Sequence, residues 1–61
     1  MSKLYELGYD DAASFDWSKV PAEYAHKVVA SYEARAIETK SAYMLGFAKG
    51  AKEILAGSVA A

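Results

Sequence analysis

The chain has no cysteine, so neither a disulfide nor a thiolate metal site can staple it. It has one histidine, His26, which leaves no histidine pair for a metal site or a proton relay. No apolar run approaches the roughly 20 residues of a membrane span, because Lys49, Lys52 and Glu53 interrupt the C-terminal stretch. The N-terminal residues carry one lysine and no apolar run of signal-peptide length, and a cytoplasmic protein without membrane contact is expected. Neither sign of charge dominates. Seven basic residues stand against eight acidic ones, and they are interspersed. That pattern speaks against nucleic-acid binding, which needs several cations on one face, and it lacks the acidity of a DNA mimic.

What is present is a chain of 61 residues, 54% hydrophobic and 25% charged, long enough for a single small domain over residues 1–61. Chains of this size without staples commonly gain missing burial by oligomerising, so a homodimer is expected. The most informative feature is a repeat. Tyr5-Glu6-Leu7-Gly8-Tyr9-Asp10-Asp11-Ala12 and Tyr43-Met44-Leu45-Gly46-Phe47-Ala48-Lys49-Gly50 place Tyr, Leu, Gly, an aromatic ring and a small residue in the same order. Each copy sets small residues four apart on a helix, Gly8 with Ala12 and Gly46 with Gly50, beside the rings of Tyr5, Tyr9, Tyr43 and Phe47. A glycine inside a helix costs roughly 1 kcal/mol relative to alanine. Packing that a Cβ would block can offset that cost, so these stripes are expected to bring two helices close together. The Gly46 and Gly50 spacing also resembles a membrane dimer motif, but the unbroken apolar segment that gives the motif its meaning is absent.

The periodicity predicts an all-α fold of two or three helices, a hairpin in which the first helix packs on the last through the Gly/Ala stripes. Ser2 can cap a first helix of about ten residues that ends near Ala13 or Ser14. The linker Ser14-Phe15-Asp16-Trp17-Ser18 carries two aromatics, expected to plug the angle between helices or else to anchor a partner. Pro21 marks the next start, with Asp16 or Ser18 positioned to cap. From there Ala25, Val28, Val29, Tyr32, Ala36, Thr39, Tyr43, Gly46, Phe47, Gly50 and Ile54 form one stripe. One helix over 21–56 would run about 54 Å, far beyond what a ten-residue partner covers. Either a second chain buries the remainder or the helix breaks near Glu38-Thr39-Lys40-Ser41 with Thr39 as cap, and the break is the reading adopted. Gly57-Ser58 is expected to end the last helix, with Val59-Ala60-Ala61 fraying.

Charge divides by region. Lys3 stands against Glu6, Asp10, Asp11 and Asp16 in residues 1–17, whereas residues 18–61 are net basic, so the two parts are complementary. No residue set reaches a catalytic, metal or phosphate signature. Glu23 and Glu33 beside His26 read as ordinary surface charges, and Asp10 and Asp11 project about 100° apart on a helix and cannot share a proton. The serines lack nucleophile-elbow glycines and no glycine run resembles a phosphate loop, so a non-enzymatic chain without cofactor or metal is expected. Five tyrosines and one tryptophan are a heavy aromatic load. If Tyr5, Tyr9, Tyr43 and Phe47 pack around the glycines, then Trp17, Tyr24 and Tyr32 remain as the candidate surface, either for a partner or for closing the dimer.

Leu7-Gly8-Tyr9 and Ser41-Ala42-Tyr43-Met44-Leu45-Gly46-Phe47, followed by Ala51 and Glu53, resemble the two helical motifs of the ribosome modulation factor family of very small bacterial proteins. The resemblance implies a glycine-aromatic helix, a proline-containing connector and a second helix with an aromatic-leucine-glycine core, in a protein that binds the ribosome near the messenger path. The chain departs from the family in its acidic first helix, where the family is strongly basic, and in a longer segment between the motifs, residues 22–40.

The function expected is that of a modulator or inhibitor, phage-encoded or bacterial, which occupies a surface of a larger protein. This rests on analogy with other very small, cofactor-free chains. Two alternatives stand beside it: a ribosome-associated factor of the family just named, and a structural subunit of a larger assembly.

Overall fold

A computed structural model describes residues 3–60, and their side chains as far as residue 57. The described chain is helical throughout apart from its connections: α1 (Lys3–Ser14), a 3-10 turn (Trp17–Lys19), α2 (Ala22–Thr39) and α3 (Ala42–Ala60). The Ser2 cap and the end at Ala61 lie outside the described residues.

Local chemistry sets each boundary. Asp16 does not cap α2 as expected; its carboxylate accepts from the Ser18 backbone N–H at 3.2 Å and so caps the 3-10 turn. Pro21 stands at the N-cap of α2 with φ −56° and ψ 140°, and its carbonyl accepts the Ala25 N–H at 2.9 Å. Proline has no N–H to leave unpaired there, and no side chain caps this helix end. The stripe over 21–56 is two helices. Lys40 takes the left-handed conformation, φ 56° and ψ 38°, and both its N–H and that of Ser41 return to the Ala36 carbonyl. The cap of α3 is Ser41 rather than Thr39: the Ser41 hydroxyl accepts the Met44 N–H at 3.2 Å. Thr39 instead closes α2, donating its hydroxyl to the Arg35 carbonyl at 2.7 Å. At the far end α3 runs through Gly57 and Ser58 to Ala60, because Gly57 keeps a helical rather than a left-handed backbone.

α3 is the central helix, packed on one side by α1 and on another by α2. The contacts between α1 and α3 rise together along both helices. A Cβ built on Gly46 would lie 2.0 Å from the Tyr5 carbonyl oxygen, and one on Gly50 would lie 2.9 Å from the Tyr9 carbonyl oxygen. The two helices therefore run parallel, not as the hairpin expected from sequence. A parallel pair needs a return element between its members, and α2 supplies it. The hairpin proper is α2 with α3, antiparallel, tied by Lys52 Nζ to Glu33 Oε2 at 2.7 Å. The parallel pair also has an internal near-symmetry. Gly8 faces the Tyr43 carbonyl, with 2.1 Å to its Cβ position, as Gly46 faces that of Tyr5.

Helices this close leave no room for large side chains between them. The buried residues with a side chain are Ala12, Trp17, Ala25, Val29, Ala36, Ala48 and Ala51, and none of the large side chains described is fully buried. Trp17 fills the corner below α1. It is 9% exposed, and its indole N–H donates to the Ala12 carbonyl at 2.9 Å.

These distances fix the sign of four substitutions. Gly8→Ala and Gly46→Ala set a methyl group inside a backbone carbonyl of the other helix. Each is expected to destabilise by about 1–3 kcal/mol net of the roughly 1 kcal/mol of improved helix propensity. Gly50→Ala is expected to cost less, and Gly57→Ala, with nothing within 4 Å of its Cβ, to stabilise slightly. Urea denaturation of the four variants checks the order, and a Gly46→Ala protein more stable than wild type contradicts it.

Candidate functional site

Among the described residues no three His, Asp or Glu side chains stand close enough to hold a metal ion, and no helix is long and apolar enough to cross a membrane. What the surface offers is aromatic rings and apolar concavities. The rings form a connected series from the connection after α1, through the 3-10 turn, to α3 and α2. Phe47 of α3 is its hub: the Tyr32 ring of α2 stacks on it at 4.7 Å, Trp17 lies at 6.0 Å and Tyr43 at 6.5 Å. Phe15 meets Trp17 edge-on at 4.6 Å and remains half exposed. Offset and edge-on arrangements at these separations are the favourable ones for aromatic quadrupoles.

The structure divides the three residues expected to meet a partner. Trp17 is not on a surface; its indole completes the corner between α1 and the rest of the chain, and it is corrected here to a core residue. Tyr32 is half-buried, its ring held by Phe47. Tyr24, two turns earlier on α2, is 62% exposed. Tyr24 and Tyr32 line one shallow depression with Lys27, Val28 and Ser31. Its signal in the sequence is the i, i+4, i+8 spacing of Tyr24, Val28 and Tyr32, which shares one edge of α2.

A second concavity was not legible as a site. On the α2/α3 hairpin an open groove of about 640 Å³ is lined by Val29, Ala30, Leu55 and Ala56, with His26, Glu33 and Lys52 also on its walls. Its trace in the sequence is a second stripe on α2, His26, Ala30, Glu33 and Ile37, hidden because a histidine, an alanine and a glutamate give it no apolar contrast.

Two tyrosine hydroxyls link α1 to α3 by reaching carboxylates in opposite directions. Tyr9 of α1 donates to Glu53 of α3, and Tyr43 of α3 donates to Asp11 of α1. Lys49 also approaches Glu53, at 3.9 Å. The ion pairs among the described residues lie within 18–61, so the acidic first helix meets the remainder through phenol hydroxyls rather than through lysines. Both phenols are held above the ordinary tyrosine value of 10.0. The hydrogen bond to the carboxylate is the main cause, followed by partial desolvation and the nearby negative charge.

Compared with protein-family models, with curated proteins and with solved structures, the chain gives no match.

The raised phenol values carry a pH dependence. Because the folded state holds these protons more tightly than the unfolded chain, their contribution is complete below pH 10 and is lost as pH rises through the higher folded values. A Tyr9→Phe, Tyr43→Phe double variant is expected to lose less stability than wild type between neutral pH and that alkaline range, as read by thermal melts across the interval. Parallel loss in both proteins contradicts the assignment.

Proposed function

We propose that this chain is a small non-enzymatic, cytoplasmic interaction protein, a modulator or inhibitor that works as a homodimer and occupies a surface of a larger protein. The observation that supports this reading is Tyr24, 62% exposed beside a Tyr32 ring already fixed by its stack on Phe47. Aromatic rings bury much area while freezing few rotamers, and interfaces concentrate their energy in such residues. A ring ordered before binding loses little further entropy on binding, which favours affinity. Lys27 and Ser31 beside the pair add a cation and a hydroxyl, a mix suited to a partner surface that is apolar with an acidic or carbonyl rim.

On this reading the repeated Gly/Ala stripes, Gly8 and Ala12 with Gly46 and Gly50, serve the surface indirectly. They hold α1 against α3, and α3 carries Phe47, the ring on which Tyr32 rests.

Capture of a partner from lysate of the encoding cell, with tagged wild type and a Tyr24→Ala variant at low and moderate salt, tests the proposal. Wild type is expected to retain one stoichiometric protein through moderate salt. Tyr24→Ala is expected to lose it by roughly 30-fold in affinity, the scale of an interface hot spot, without a change in melting temperature. Equal retention by both proteins removes Tyr24 from the site. Ribosomal proteins that wash off together as salt rises would favour the ribosome-associated reading instead.

A further inference from the structure

We draw no further inference here: the strongest candidate, the open groove of the α2/α3 hairpin between Val29 and Ala30 of α2 and Leu55 and Ala56 of α3, carries nothing because its two opposite charges, Glu33 and Lys52, are already paired with each other and nothing in the structure shows what covers it.

Discussion

At three points in this protein the backbone of one helix fills the space that a side chain would need on another: the Tyr5 carbonyl against Gly46, the Tyr9 carbonyl against Gly50, and the Tyr43 carbonyl against Gly8. Helices that meet through ordinary side chains keep their axes about 8–10 Å apart. Contact between backbones removes the layer in which a conventional core would sit, and the composition of the interior follows. Alanines occupy most of the buried positions, and the rings are displaced to the flanks of the contact, Tyr9 toward Glu53 on one flank and Tyr43 toward Asp11 on another. The result is a helix pair held by close fit and polar links at its rims, with Phe47 and Trp17 filling the space where the three helices converge.

The displaced rings give the molecule its two unlike surfaces. Because little aromatic area fits between α1 and α3, Tyr32 stacks on the outer side of Phe47 and stands beside an exposed Tyr24. The other edge of α2, with His26, Ala30 and Glu33, borders an open groove against Lys52, Leu55 and Ala56 of α3. One surface is a set of rigid rings and the other is a concavity with balanced charge.

Much of the architecture could be read from residue spacing. The helical class, the start of α2 at Pro21 and the interruption near residues 39–41 follow from periodicity and from residues with restricted backbone chemistry. The features that escaped are those on which spacing is silent. A helical stripe identifies a face but not the direction of its neighbour, so the parallel course of α1 and α3 needed the length of α2 to decide it. Thr39 and Ser41 are both hydroxyl residues two positions apart, and only the left-handed turn at Lys40 makes Ser41 the cap. Trp17 looked equally suited to a corner and to a surface; the bond from its indole to the Ala12 carbonyl fixes the corner. For the candidate sites, Tyr24 and Tyr32 were visible as an unassigned aromatic pair. The groove was not, because alanine faces and a glutamate–lysine pair look like ordinary solvated helix.

The parallel course of α1 and α3 also sets how the entropy of loop closure is distributed along the chain. The α2/α3 hairpin is closed by a tight turn at Lys40 and Ser41, a local contact with little loop entropy to overcome. The contacts of Tyr5 with Gly46 and of Tyr9 with Gly50 join residues on either side of the whole of α2. Closing so long a loop before any contact rewards it slows folding. The tightest fit in the molecule therefore carries a larger cost of loop closure than the α2/α3 hairpin does, because it joins segments separated by the whole of α2.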